Sequence, residues 1–189
     1  MDQARLLDRI YRPQRRLYDS TRTFFLPGRD LLLRKMNPRP GERILEAGCG
    51  TGRNLLELER LFPGVFLYGL DVSEVMLEFA RKKIRSGGCS AILRQASAGN
   101  FSPQETFDLD QPFDRIFFSY SLSMIPDWSS ALNTALLALR PGGGLYVVDF
   151  GDMAGWPGWA SSMVRGWLSL FHVRPEPGVQ ARLRAWAEA

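Results

Sequence analysis

One histidine, His172, and two cysteines, Cys49 and Cys89, are the whole supply of imidazole and thiol groups in 189 residues. Neither cysteine has a histidine or a second cysteine at ligand spacing, so no metal site and no disulfide framework are expected. Unpaired thiols fit a reducing compartment, and a cytoplasmic location is expected, the inner membrane surface included. No apolar run reaches the roughly 18 residues of a membrane span, and the N-terminus shows no signal-peptide h-region. Internal repeats and low-complexity tracts are also missing. What remains is 45% hydrophobic and 23% charged residues, enough for one globular domain with a core of its own.

The net charge of +4 is unevenly spread. Residues 1–39 carry ten Lys or Arg against four Asp, a balance of +6, whereas residues 40–189 carry fourteen against sixteen, a balance of −2. A basic arm therefore leads a nearly neutral body. Such an arm either attracts an anionic surface, lipid or nucleic acid, or forms a solvated helical face.

The stretch Ile44-Leu45-Glu46-Ala47-Gly48-Cys49-Gly50-Thr51-Gly52-Arg53-Asn54 reads as a buried strand, a glycine turn and a helix start. Glycines bring backbone close to a ligand. Asp71 follows Gly52 by nineteen residues and ends the apolar run 65–70, where an acid can accept hydrogen bonds from ribose hydroxyls. The pair defines a nucleoside site. The dinucleotide fingerprint is G-x-G-x-x-G, opening a helix dipole to pyrophosphate. Here the spacing is G-x-G-x-G, and Glu46 stands two residues before the first glycine. A carboxylate there repels pyrophosphate and suits a ligand bearing an ammonium and a sulfonium. The stretch resembles the class I S-adenosylmethionine-dependent methyltransferases.

The rest of the chain follows the same alternation. Strands are predicted over 43–47, up to Asp71, and over 89–94, 114–119 and 145–149. Helices are predicted over 54–62, from a Ser73 cap through Arg85, and from an Asp127 cap to Leu139. Residues 98–112 read as a loop. Residues 2–36 read as two or three helical pieces punctuated by Pro13 and Pro27-Gly28, and a last helical region covers about 157–171. This order implies an α/β, Rossmann-like, doubly wound and mainly parallel sheet, with ligands at the carboxyl ends of the strands where strands one and four part. The organisation is read as a helical arm or lid over residues 1–40 and a cofactor-binding domain over 41–189. Class I methyltransferases usually finish with a strand 6/7 hairpin. Residues 172–189 hold no pair of β-branched runs, so the fold is expected to lack it.

Three stretches narrow the resemblance. They are the arm from Tyr11 to Asp30, with Tyr18-Asp19-Ser20-Thr21-Arg22 and Gly28-Arg29-Asp30; the glycine turn; and Ser119-Tyr120-Ser121-Leu122-Ser123-Met124-Ile125-Pro126. Together they resemble the diacylglyceryl-homoserine N-methyltransferases of betaine-lipid synthesis. The resemblance implies successive methylation of the homoserine amine of a lipid, with the acceptor amine attacking the sulfonium methyl in line. It implies that Gly48, Gly50, Gly52 and Asn54 lie along the methionine part of S-adenosylmethionine, that Glu46 holds its ammonium, and that Asp71 takes the ribose diol. Val72 and Met76 would flank adenine, Ser97 and Ala98 would meet its edge, and Ser119 would complete the cofactor wall. The family usually carries an acid where Ser97 stands, so adenine recognition is expected to be weaker by about 1 kcal/mol.

Tyr18 and Tyr120 are the candidates to orient the acceptor amine and face the growing cation; Tyr18 reads equally as a core anchor of the arm. Arg22 can pair with a substrate carboxylate through its planar fork. His172, beside Phe171, is read as a packing residue, so the amine's proton is expected to pass to water or a carbonyl. Trp156, Trp159, Met163, Trp167 and Phe171 recur at helical steps, a face that either packs on the sheet or dips into a membrane as a peripheral contact. A lipid or small-amine acceptor is expected, and no nucleic acid. Phosphatidylethanolamine, another amine, or a non-catalytic cofactor-binding role are the alternatives.

Overall fold

The protein is represented by a computed structural model that describes residues 28–150. The expectations for Tyr18, Arg22, the tryptophan face, His172 and the C-terminal hairpin lie outside those residues.

Helix α1 (Arg29–Met36) leads into β1 (Arg43–Ala47), α2 (Arg53–Leu61), β2 (Phe66–Asp71), α3 (Glu74–Ser86) and β3 (Ile92–Gln95). Then come α4 (Pro103–Phe107), β4 (Phe113–Ser119), a 3-10 turn (Leu122–Met124), α5 (Trp128–Ala138) and β5 (Leu139–Val148). All strand pairs are parallel, and the sheet order is β3-β2-β1-β4-β5. The direction of winding reverses between β1 and β4, as expected, which opens a crevice at their carboxyl ends.

Local chemistry explains most boundaries. The Ser73 hydroxyl accepts from the Met76 amide at 3.3 Å and starts α3; the Asp127 carboxylate accepts from the Ser130 amide at 3.0 Å and starts α5. Two segments depart from expectation. Residues 98–112 contain a helix, α4, where a loop was predicted. Ser102 accepts from the Glu105 amide at 3.0 Å, Pro103 occupies the first turn, and Asp108 ends the helix in the left-handed region. Five residues are too few for a periodicity to register, although the cap was readable. The second departure is β5, which begins at Leu139 rather than 145. Phe113 pairs with Leu139 and Arg115 with Gly144, so Pro141-Gly142-Gly143 bulges out of the ladder. Arg140 Nε donates to Asp114 Oδ1 at 2.6 Å and pins the bulge to β4.

The pleat sends alternate residues to two cores. Ile44, Leu67 and Phe117 pack beneath α1, α2 and α3 with Leu33, Met36, Leu55, Leu58 and Leu77. Leu45, Tyr68, Ile116 and Phe118 pack beneath α4 and α5 with Phe107, Phe113, Leu132 and Ala135. At the amino ends of the strands Arg115 donates to both carboxylate oxygens of Glu42, at 2.7 and 3.2 Å, and to the Tyr146 hydroxyl at 2.6 Å. Charged side chains thus close the lower rim, leaving the upper rim for function. Among the described residues no helix is long and apolar enough to cross a membrane.

Candidate functional site

The upper rim of β1 turns at Gly48. The amides of Gly48 and Cys49 both donate to the Leu70 carbonyl, at 2.8 and 2.9 Å, which folds the loop back over β2. The three glycines serve different ends. A Cβ on Gly48 would stand 2.6 Å from the Ser121 Cβ, and one on Gly52 would stand 3.0 Å from Ile84 Cδ1 on α3. Both positions are dictated by packing within the protein. A Cβ on Gly50 would meet nothing within 4 Å, at a φ of +51°. Gly50 is therefore the one of the three that faces open space.

Asp71 ends β2 beside that space. One carboxylate oxygen accepts from the Gly50 amide at 2.8 Å and the other from the Ser73 amide at 3.0 Å. It thus braces the glycine loop against the start of α3. Val72 is half-buried next to it, and Met76 is buried in the first turn of α3. Ser97 is exposed at the rim, where its hydroxyl accepts from the Gly99 amide at 3.2 Å; Ala98 is buried in the core beneath α5.

Glu46 lies on the same face of the sheet as Ile44 and is 1% exposed. Its Oε1 accepts from Asn54 Nδ2 at 2.6 Å, and its Oε2 is buried without a partner. Burial, followed by the negative charge of Asp71, pushes the carboxyl up to about 8; the Asn54 hydrogen bond, Arg29 and Arg53 oppose this. Ser119 on β4 stands two residues beyond Phe117, the partner of Glu46 in the ladder, so it shares that face. Its hydroxyl is also buried without a partner. Two buried, unsatisfied polar atoms on adjacent strands beside an open glycine mark a place where ligand groups are needed.

The other wall is built from the ends of β4 and β5. Tyr120 follows β4 at a φ of +55°, a costly conformation for a non-glycine residue. Its amide donates to the Val148 carbonyl at 2.7 Å, and its ring packs edge-on against Phe150 with centroids 4.7 Å apart. Burial and nearby Asp149 push the phenol up to about 12, so it stays protonated. It can orient an acceptor but cannot take its proton.

Three further residues join the site, with roles that the sequence alone did not assign. Asp149 accepts from the amides of Ser123, at 3.0 Å, and Phe150, at 2.7 Å, tying β5 to the loop after β4. The Ser121 hydroxyl donates to the Ala47 carbonyl at 2.8 Å, behind Gly48. Arg29, at the start of α1, is close enough to influence both Glu46 and Tyr120 electrostatically. The Gly28-Arg29-Asp30 motif was the only signal for it, and the proximity arises only when α1 packs beside β5. Among the described residues no cluster of His, Cys, Asp and Glu is placed to hold a metal ion.

A five-stranded parallel sheet with this order and a glycine loop after β1 is the Rossmann-like fold of class I methyltransferases. A profile of the methyltransferase domain matches residues 44–143, and the chain belongs to that family. A demethylmenaquinone methyltransferase of Geobacillus kaustophilus is 32% identical over 119 residues, 62% of this chain and 49% of that protein. The solved cyclase SpnF is 28% identical, with a TM-score of 0.56 over 68% of this chain and 46% of its own. Phospholethanolamine N-methyltransferase 2 of Haemonchus contortus, solved with phosphomonomethylethanolamine and S-adenosylhomocysteine, shares the fold. Its identity is 21%, with a TM-score of 0.65 over 84% of this chain and 36% of its own. The chain spans about half the length of the curated relatives it matches.

Proposed function

We propose that the chain binds S-adenosylmethionine between the glycine loop and β4 and methylates the amine of a lipid head group, converting a diacylglyceryl-homoserine to a betaine lipid. The observation that carries the cofactor assignment is Glu46: a buried carboxyl with one oxygen unsatisfied, beside a glycine that leaves room for a ligand. That unsatisfied oxygen fits an ammonium better than a pyrophosphate. When bound, S-adenosylmethionine supplies a methyl group already activated on sulfur. The chain's own residues hold and align. Glu46, Asn54 and Ser119 would line the methionine end, Asp71 would take the ribose hydroxyls, and Val72, Met76, Ser97 and Ala98 would border the adenine. Alignment and exclusion of water are what such a transfer requires of a protein.

The lipid-amine acceptor is supported by the arm and the Ser119–Pro126 stretch, and by a wall made of a neutral Tyr120 and Phe150, whose rings suit a growing cation. This reading places the protein at the cytoplasmic face of a membrane. A second reading, methylation of a quinone ring, is favoured by the Geobacillus kaustophilus relative. Incubation with methyl-labelled cofactor, a total lipid extract and a demethylated quinone, followed by mass spectrometry, separates them. Label in a quaternary lipid ammonium is expected. Label in the quinone overturns the amine assignment, and cofactor binding with no transfer to any acceptor overturns the enzyme assignment.

A further inference from the structure

We propose that Glu46 makes cofactor capture proton-coupled: before the ligand binds, the crevice holds this side chain as the neutral acid, and the arriving ammonium of the methionine tail displaces its proton to bulk water. The balance is a carboxylic acid plus an ammonium giving a carboxylate–ammonium pair and one released proton. The inference rests on the cofactor assignment above.

The geometry carries it. Glu46 is 1% exposed, and among the described residues its only hydrogen-bonding partner is the neutral amide of Asn54, at 2.6 Å. The charges packed around it are spoken for. From α2, Arg53 donates to Asp30 at 2.8 Å and to Asn54 Oδ1 at 3.2 Å. From β2, Asp71 is a second negative charge, which disfavours a carboxylate at Glu46. From the loop, the Cys49 thiol is held protonated by burial. From α1, Arg29 acts on Glu46 only at a distance, with no ion pair between them. A buried carboxyl with no cation in contact among the described residues takes up a proton, and burial raises Glu46 to about 8, within the neutral range where the exchange matters. A ligand ammonium reaching the vacant side of Oε2 would supply the missing cation and reverse the preference.

S-adenosylhomocysteine carries the same ammonium and serves as the probe. 5′-Methylthioadenosine lacks the methionine tail and serves as the control. Calorimetry in two buffers of different ionisation enthalpy counts protons. The work stays between about pH 6 and 7.5, below the value of about 8 to which burial raises Glu46, so that the free protein carries the acid form. The expected result is release of about one proton per S-adenosylhomocysteine bound and an affinity rising about tenfold per pH unit. Glu46→Gln should bind more weakly, with neither effect. Methylthioadenosine should bind the wild-type protein without proton release.

Tight S-adenosylhomocysteine binding with no proton release and a flat pH profile overturns the coupling and leaves the cofactor assignment standing. Proton release with methylthioadenosine also overturns it, by placing the titrating group elsewhere. A folded protein that ignores S-adenosylhomocysteine at every pH overturns the cofactor assignment itself. If Glu46→Gln does not fold, the wild-type comparison of the two ligands decides alone.

Discussion

Residues that look alike in the sequence part company in the structure. Gly48, Gly50 and Gly52 form one motif, yet Gly48 is fixed by the Ser121 side chain and Gly52 by Ile84 and Ala80, while only Gly50 borders open space. Gly48→Ala must displace the Cβ of Ser121 from a contact of 2.6 Å, besides adopting a φ of +79°. Thermal unfolding should show a loss of at least about 2 kcal/mol. Gly50→Ala meets no atom and should cost only about 1–2 kcal/mol for its left-handed backbone. Its methyl group projects into the crevice, so calorimetry should show an affinity for S-adenosylhomocysteine at least about tenfold weaker, or about 1.4 kcal/mol. Equal cofactor affinity in Gly50→Ala and wild type would move the ligand away from this loop. The motif and its spacing were legible in the sequence, as were Glu46 and Asp71. The division of labour among the glycines was not, because it depends on side chains 28 to 73 positions away that only packing brings close.

At the scale of elements, Asp149 joins two strand ends. Its carboxylate accepts from the amides of Ser123 and Phe150, so the turn that carries Tyr120 is held from β5 rather than by its own sequence. Asp149→Ala leaves those donors without a partner and should cost about 1–3 kcal/mol. Hydrogen exchange should accelerate at Leu122 and Ser123 while the amides of β1 and β2 stay protected; uniform exchange would mean that the turn is held by something else. Helix α1 is joined to α2 through Asp30 and Arg53 at 2.8 Å. Both side chains are substantially exposed, so a double-mutant cycle should return no more than about 1 kcal/mol. The alternation of strands and helices was readable from apolar runs and caps. The short α4 and the bulged start of β5 were not, since one is too short for a period and the other carries Pro141 and three glycines within a strand, against strand propensity.

For the whole molecule, opposing carboxyl groups set the response to pH. Glu42 and Asp114 at the lower rim are held below their ordinary values despite burial, by the arginines and backbone amides around them. Their stabilisation is present above the unfolded values and is lost as pH falls through the folded ones. Glu46 and Asp149 are raised, chiefly by burial. Their contribution is complete below the unfolded values and is lost as pH rises, for Glu46 through about 8. The ligand-free protein should therefore be most stable on the mildly acid side. Above its ordinary value Glu46 should remove up to about 1.4 kcal/mol per pH unit until it ionises. Saturating S-adenosylhomocysteine should flatten this alkaline limb. Unfolding midpoints measured across the range with and without ligand test the claim, and a ligand-free optimum above about pH 8 would contradict it.

Hydrophobic periodicity, helix caps and the G-x-G-x-G spacing are local properties, and local chain physics was enough to assign the α/β class, the parallel strands and the rim that carries the crevice. Burial is not local. That Glu46 loses water and keeps a single neutral partner, that Asp71 braces Gly50 and Ser73, and that Arg29 and Asp149 belong to the site depends on which strands and helices become neighbours. A carboxyl group's charge state follows from its desolvation and its partners, and both arise only when the chain has closed on itself.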